Sequence, residues 1–299
     1  MEIKARAKIN LTLDITGRRP DGYHELASVM QEIDLADTLV LEPAGDIFLT
    51  VEPPVVAADG DNLVCRAARL LSRYAGVRQG AAMRLYKRIP VGAGLGGGSA
   101  DAAATLAGLN RLWGLGLAPE TLRELGARLG SDIPFCLTGG TALVTGRGET
   151  VQPLPPLPSL PVLLVKPRFA VSTAEIYRLW DDLNAGGGTA TRAALPAVAA
   201  GDWRGVADSL ANDLEQVTCV QYPEVLEVKK RLAAAGAWAV LMSGSGPAVF
   251  SLWPDETRAR LAVRSLPVSR YEVIPTRTVG RFSGKCRARR VGNDDSPVL

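Results

Sequence analysis

Residues 90–106 read PVGAGLGGGSADAAATL, and five of the seven positions from 92 to 98 are glycine. Glycine reaches positive φ values without strain and leaves its backbone N–H open, because it carries no Cβ. The alanine-rich segment that follows is typical of a helix, and a helix N-terminus attracts negative charge. The stretch therefore predicts a loop whose backbone amides bind phosphate, with Ser99 as the expected N-cap of the helix.

Three kinds of nucleotide loop compete for this stretch. A Walker-type loop requires G-x-x-x-x-G-K-[ST], and the nearest fragment, residues 284–286, lacks the hydroxyl. The dinucleotide fingerprint G-x-G-x-x-G is matched by Gly92, Gly94 and Gly97, but the segment before it is basic and no second strand follows at the required distance. A plain hinge needs one or two glycines. A loop of bare amides around a triphosphate fits best.

The composition is that of a soluble globular protein with a hydrophobic core. The 299 residues are 47% hydrophobic and 22% charged, with a net charge of +3, which gives no reason to expect a polyanionic partner. His24 is the single histidine, so a zinc site with several histidines is excluded. The four cysteines are widely spaced, and we find neither a leader-like segment nor an apolar run of membrane-spanning length in the sequence. We therefore expect a cytoplasmic protein.

The first strand is predicted from alternation. In KINLTLDI, residues 8–15, apolar and polar side chains alternate, which predicts a half-buried strand with Lys8 and Asn10 on its polar face. Further along, Asp61 or Asn62 is the expected cap of a helix.

A proline-rich segment divides the chain. Residues 151–161 carry five prolines and form the candidate domain boundary. Strands and helices are mixed irregularly on both sides, which favours an α+β fold. We therefore predict an N-terminal domain over residues 1–152, a C-terminal α+β domain over 160–282 and a flexible tail, basic and then acidic, over 283–299.

Three motifs together resemble the GHMP kinases. PVGAGLGGGSADAAATL resembles the central motif of that family, KINLTLDI its N-terminal motif, and MSGSGPAVF at 242–250 its C-terminal glycine-rich loop. They occur in the family's order and span nearly the whole chain. The resemblance implies a two-domain α+β architecture with the active site in the interdomain cleft, and a small-molecule kinase that uses ATP and Mg²⁺.

The resemblance also implies roles for individual residues. Asp132, in GSDIPFC, would lie beside the acceptor hydroxyl as base or orienting group, and Lys8 would bridge Asp132, the acceptor oxygen and the γ-phosphate. The sequence leaves the metal ligands and the role of Asp101 open. The residues expected to bind the ATP phosphates are Pro90, Val91, Gly92, Ala93, Gly94, Leu95, Gly96, Gly97, Gly98, Ser99, Ala100, Gly244 and Ser245.

A further motif indicates the acceptor. GRRPDGYHEL, residues 17–26, resembles a segment of the family member that phosphorylates a cytidine diphosphate sugar alcohol. By this resemblance Tyr23 would stack on the cytosine, His24 would pair with its edge, and Tyr177 would form a second wall. Asn10 would bind the sugar alcohol hydroxyls.

Rival functions stay open from the sequence. The nearest is another GHMP kinase of the homoserine or phosphomevalonate type. A nicotinamide-dependent oxidoreductase would use the apparent dinucleotide fingerprint, and a nucleic-acid-binding protein would use the basic tail. We expect small-molecule substrates, with neither nucleic acid nor membrane as partner.

Overall fold

The computed structural model describes residues 1–183 and 187–280. In the first half of the chain, helices pack against one sheet. Its elements are β1 (Glu2–Asn10), β2 (Thr12–Arg18), β3 (His24–Ala44), β4 (Ile47–Glu52), α1 (Leu63–Ala75), β5 (Gly80–Tyr86), α2 (Gly97–Leu112), α3 (Pro119–Ala127), α4 (Ile133–Thr138), β6 (Thr141–Gly146) and β7 (Thr150–Pro153).

The second half begins after the proline-rich segment. It contains short strands with helices between them. Its elements are β8 (Pro161–Pro167), α5 (Thr173–Leu183), α6 (Ala190–Ala200), α7 (Trp203–Asp208), β9 (Ala211–Asn212), α8 (Glu215–Gln221), α9 (Pro223–Ala234), β10 (Ala239–Met242), β11 (Val249–Leu252), α10 (Glu256–Val263) and β12 (Tyr271–Arg277).

The long strand β3 organises an eight-stranded sheet. It pairs antiparallel with β1, β2, β5 and β6, so most of the first sheet contacts one 21-residue element. The second sheet has four strands in the order β10-β11-β8-β12, all antiparallel. This mixture of helices with two largely antiparallel sheets is the predicted α+β class.

The expectation of one half-buried strand at residues 8–15 is wrong in two respects. The segment forms two strands separated at Leu11, and both of its faces are buried. The polar face is covered because α6, from the second half, packs on β2, where Thr12 contacts Thr191. Lys8 and Asn10, at the end of β1, are also buried, and Lys8 lies against the glycine-rich loop.

The two halves of the chain share structure. Strand β9 pairs parallel with β2, in the register Thr12↔Ala211 and Leu13↔Asn212, and so extends the first sheet. One hydrophobic core combines side chains of the first sheet with residues from α6, α7, β8 and β11. The domain division at 1–152 and 160–282 stays a prediction. Residues 281–299, with the predicted tail, lie outside the described residues.

One of the two predicted helix caps is present in the structure, and the other is not. Asn62 caps α1 as predicted, since its side chain accepts a hydrogen bond from Val64 N at 2.9 Å. The predicted cap at Ser99 is wrong, because α2 begins two residues earlier, at Gly97, after Gly96 in a left-handed conformation. None of the helices in the described ranges is long and apolar enough to cross a membrane.

Gly80 provides a test of how closely β4 and β5 pack. A Cβ at Gly80 would lie 2.2 Å from the backbone carbonyl of Asp46, whereas a Cβ at Gly45, next to Asp46, would meet open space among the described residues. Because backbone atoms cannot move aside without disturbing the sheet, we expect Gly80→Ala to lower the free energy of unfolding by about 1–3 kcal/mol. Gly45→Ala is the matched control, and urea midpoints measure both. Equal midpoints for the two variants would contradict this packing.

Candidate active site

A cleft of about 650 Å³ lies between the two halves of the chain. Its described lining contains Lys8, Asn10, Asp132, Tyr177, every residue from 90 to 99, and Gly244 with Ser245. Most residues that the sequence predicted for one site therefore meet in one place. The described lining does not include Ala100, Tyr23 or His24.

The glycine-rich loop has the backbone that the sequence predicted. Gly92, Gly94 and Gly96 have φ values of 62°, 77° and 69°, in the region that favours glycine. A Cβ on Gly96 would lie 3.1 Å from Lys8 Cγ and 3.4 Å from Asp132 Oδ2. The loop thus leaves a space that a side chain would fill, directly before the N-terminus of the 16-residue helix α2. Backbone amides at such a helix end bind phosphate groups.

The two glycine-rich loops touch each other. A Cβ at Gly94 would lie 2.1 Å from Ser243 O, so glycine is required there by close approach as well as by φ. Ser243 Oγ donates to Gly94 O at 3.0 Å, and Ala248 N donates to Ala93 O at 3.2 Å. These bonds hold the second sheet against the phosphate loop and close one end of the cleft.

Asn212 supports the C-terminal loop and was missed by the sequence reasoning. Its buried amide donates to Met242 O at 3.0 Å and to Gly244 O at 2.8 Å. An asparagine 30 residues before the loop carries no local sign of this contact. Thr173 also contacts the loop, through a hydroxyl contact with Ser245 at 2.8 Å.

Lys8 and Asp132 form a pair at the base of the cleft. Lys8 Nζ lies 3.4 Å from Asp132 Oδ2 and donates to Asn10 Oδ1 at 2.7 Å. The lysine is buried, but the side chain of Asp132 is 27% exposed and open to the cleft. Lys8 N donates to Leu95 O at 3.1 Å, which ties β1 to the glycine-rich loop, and Asp132 directly precedes α4. The pair thus presents a carboxylate and an ammonium beside the phosphate loop.

A thiol lies close to this pair. Burial raises the pKa of Cys136 well above its usual value, and the nearby Asp132 carboxylate raises it further. The thiol stays protonated at neutral pH and is a poor nucleophile. The reactive polar groups at this end of the cleft are therefore the lysine and the carboxylate.

The structure places Asp101 in a buried charge cluster with Lys87 and Asp37. Lys87 Nζ donates to Asp101 Oδ2 at 2.7 Å and forms a short contact with Asp37 Oδ2. Asp37 also accepts backbone hydrogen bonds from Arg88 and Ile89, the residues that lead into the phosphate loop. Asp101 is therefore paired with a lysine that the sequence had not placed in the site, and both side chains line the cleft.

One ammonium between two carboxylates leaves a surplus negative charge. Within residues 1–183 and 187–280, Asp101 Oδ1 has no hydrogen-bond partner. Burial raises the pKa of Asp101 to about 7, although Lys87 opposes the shift. Burial acts to lower the pKa of Lys87, but the two carboxylates together outweigh burial and raise that pKa, so the ammonium stays charged. Asp101 therefore takes up a proton at a higher pH than an ordinary aspartate does.

Aromatic side chains form the other end of the site. Tyr177, on α5, lines the cleft, and its ring stacks on His24 with centroids 4.8 Å apart and planes 26° from parallel. His24 Nε2 contacts Asp181 Oδ1 at 2.6 Å, so one ring nitrogen is already engaged. Tyr23 is 53% exposed, with the guanidinium of Arg147 5.3 Å from its ring centre. The predicted pairing of His24 with a base edge stays a prediction.

Metal ligands are not evident as a preformed cluster. In the part of the chain that the structure describes, no group of three or more His, Cys, Asp or Glu side chains could hold a metal ion. Oxygen donors do line the cleft, at Ser99 and Asp132. These are the atoms that Mg²⁺ prefers.

Two family profiles match the sequence: the GHMP kinases N-terminal domain over residues 62–140 and the GHMP kinases C-terminal domain over residues 194–272. The chain belongs to the GHMP kinase family, and it is a small-molecule phosphotransferase that uses ATP.

The names of individual relatives specify a substrate. A protein of Pelotomaculum thermopropionicum named 4-diphosphocytidyl-2-C-methyl-D-erythritol kinase is 52% identical over 277 residues, 92% of this chain and 96% of that protein. A protein of Moorella thermoacetica with the same name is 50% identical over 288 residues, 93% of this chain and 99% of its own length. A crystal structure of 4-(cytidine 5'-diphospho)-2C-methyl-D-erythritol kinase matches with a TM-score of 0.80 at 38% identity, covering 94% of this chain and 100% of that one.

The charge cluster predicts a pH-dependent difference in stability. The raised pKa of Asp101, about 7 against 3.8, means that the group stabilises the fold below its unfolded pKa and loses that contribution as pH rises to 7. Asparagine at position 101 cannot titrate. We therefore expect the free energy of unfolding of Asp101→Asn, relative to wild type, to be higher at pH 8 than at pH 5.

Urea unfolding at the two pH values measures this difference. Asp182→Asn, which removes an exposed carboxylate, is the control for the change in formal charge. If the gap between Asp101→Asn and wild type is the same at pH 5 and pH 8, Asp101 does not hold the proton.

Proposed function

We propose that this chain transfers the γ-phosphoryl group of ATP to the 2-hydroxyl of 4-diphosphocytidyl-2-C-methyl-D-erythritol, giving the 2-phosphate and ADP. The reaction belongs to the non-mevalonate isoprenoid pathway, and we propose that it takes place in the cytoplasm. The Lys8–Asp132 pair, 3.4 Å apart beside the phosphate loop, carries the chemical part of the proposal. The names of relatives about half identical over nearly the whole chain support the acceptor.

The glycine-rich loop fits the phosphates of ATP. Three glycines with positive φ keep Cβ atoms out of the space in front of α2, and the helix N-terminus adds partial positive charge. Lys8 lies against Gly96, and Lys87 Nζ lies 3.6 Å from where a Gly97 Cβ would be. The loop would thus bind the anion through its amides, with the Lys8 ammonium beside it, whereas Lys87 is already paired with Asp37 and Asp101.

Phosphoryl transfer requires alignment and charge neutralisation more than covalent chemistry from the protein. We propose that Asp132 accepts a hydrogen bond from the acceptor hydroxyl and receives its proton as the new P–O bond forms. Lys8 holds the Asp132 carboxylate in place and provides positive charge between the carboxylate and the phosphate loop. A general base of this kind contributes about 10²–10⁴-fold in rate.

Mg²⁺ would be held by the ATP phosphates together with oxygen donors of the cleft. Ser99, in the first turn of α2, is the side chain we propose for contact with it. When bound, the ion would neutralise phosphate charge and orient the γ-phosphoryl group.

The aromatic end of the cleft suits a pyrimidine. Tyr177 presents a half-buried ring to the cleft, and Tyr23 lies beside the guanidinium of Arg147, which also lines the cleft. Stacking on such rings favours planar bases. An acceptor without a base, such as homoserine or phosphomevalonate, would leave these side chains without a role.

The proposal is tested by the choice of acceptor. Purified protein with ATP and Mg²⁺ should release ADP with 4-diphosphocytidyl-2-C-methyl-D-erythritol and not with homoserine or phosphomevalonate, because neither rival can use the aromatic walls. A coupled ADP assay measures the three acceptors at equal concentration. Faster turnover with either rival acceptor would overturn the proposal.

Asp132→Asn tests the catalytic role separately from binding. The amide keeps the shape of the side chain but cannot take a proton, so we expect kcat to fall by about 10²–10⁴-fold. Binding of ATP should stay within a few-fold, since the glycine-rich loops are unchanged. Asp182→Asn controls for loss of charge at an exposed site. Turnover near that of wild type would remove Asp132 from the mechanism.

A further inference from the structure

A line of buried polar side chains lies behind the Lys8 ammonium. Asn10 and Ser28 are each 1% exposed, and Thr12 is fully buried. Lys8 Nζ donates to Asn10 Oδ1 at 2.7 Å, and Asn10 Nδ2 donates to Ser28 Oγ at 2.9 Å. Ser28 Oγ in turn donates to the backbone carbonyl of Thr12 at 2.5 Å. The ammonium is thus the first member of a continuous hydrogen-bonded chain.

The series of hydrogen bonds from Lys8 to the Thr12 carbonyl has a fixed direction. A serine hydroxyl can donate one hydrogen bond, and Ser28 donates it to the Thr12 carbonyl. Toward Asn10 the hydroxyl can therefore only accept a hydrogen bond. The NH₂ and the oxygen of an asparagine side chain are similar in size and shape, but the NH₂ donates hydrogen bonds and the oxygen accepts them. Ser28 therefore turns the NH₂ of Asn10 toward itself and the oxygen toward Lys8.

We propose that Ser28 is a positioning residue for phosphoryl transfer, acting through Asn10 to hold the Lys8 ammonium beside Asp132. The inference rests on the proposed role of Lys8 and deepens it. If the Asn10 amide turned over, its NH₂ would face the ammonium, and two donors would oppose each other in a buried site. Lys8 would lose its 2.7 Å acceptor and, with it, its fixed position near the carboxylate.

Both halves of the chain anchor the far end of the line. Thr12 Oγ1 accepts from Val29 N at 2.9 Å and contacts Thr191 Oγ1 at 2.8 Å. Thr191, on α6, donates from its hydroxyl to Ala27 O and from its backbone N–H to Asp14 Oδ2. Thr12, whose carbonyl accepts the hydrogen bond from Ser28, is therefore fixed by contacts with both halves of the chain.

Ser28→Ala is the first test. It removes the acceptor that orients Asn10, so kcat should fall by at least about tenfold, as expected for a small misplacement of a catalytic group. The KM for ATP should stay within about twofold, because the glycine-rich loops are untouched.

Ser251→Ala is a matched control. The Ser251 hydroxyl is also buried, accepts from Trp253 Nε1 at 2.9 Å and donates to Leu163 O at 3.1 Å, but it lies in the second sheet away from the cleft. Loss of kcat in Ser28→Ala with an unchanged Ser251→Ala supports the proposal. Equal losses in both variants, or none in Ser28→Ala, would overturn it.

A double-mutant cycle separates orientation from general damage. In Asn10→Asp the two side-chain oxygens are equivalent, so turning the group over changes nothing. We expect Ser28→Ala to reduce kcat much less in the Asn10→Asp background than in wild type. The same fold-loss in both backgrounds would mean that Ser28 does not act through the orientation of Asn10.

NMR gives a readout that needs no acceptor. In wild type, the Asn10 side-chain amide protons should show a nuclear Overhauser effect to Ser28 Hβ, and in Ser28→Ala the corresponding contact should weaken as the amide turns. A wild-type amide that contacts Lys8 Hε instead would overturn the inference. If wild type shows the expected contact but no turnover with the cytidylyl acceptor, the proposed function fails and the orientation of Asn10 stands.

Discussion

The close approach of two glycine-rich loops determines the geometry of the whole site. Gly94 lies so near Ser243 that a single Cβ would come within 2.1 Å of its carbonyl oxygen, and Ser243 Oγ donates back to Gly94 O. This contact fixes the second sheet against the loop that precedes α2. Because Lys8 N donates to Leu95 O, the same loop also positions β1. The cleft, its amides and its lysine are thus parts of one arrangement.

Two buried lysines flank the phosphate loop and differ in their partners. Lys8 contacts one partly exposed carboxylate, Asp132, and the oxygen of Asn10, so the carboxylate stays available to a substrate. Lys87 lies between two buried carboxylates, and burial raises the pKa of Asp101 to about 7, with a further contribution from the Asp37 carboxylate. The first pair is suited to chemistry. The second cluster is suited to holding the segment that enters the loop.

The sequence was sufficient for the parts of the site that local patterns encode. Glycine spacing predicted the phosphate loop, and the resemblance to GHMP kinases predicted the α+β fold and brought Lys8 and Asp132 together. Contacts between distant segments left no local pattern. Asn212 supports a loop 30 residues away, and Asp37 pairs with a lysine 50 residues away. Alternation also predicted a half-buried strand at residues 8–15, because the sequence does not show that α6 covers β2.

Phosphorus-31 NMR of the reaction tests the central claim most directly. With ATP, Mg²⁺ and 4-diphosphocytidyl-2-C-methyl-D-erythritol, the account predicts the signals of ADP together with one new phosphate monoester, while the diphosphate of the acceptor remains intact. Release of inorganic phosphate with an unchanged acceptor would contradict it, because Asp132 would then be activating water rather than the acceptor hydroxyl.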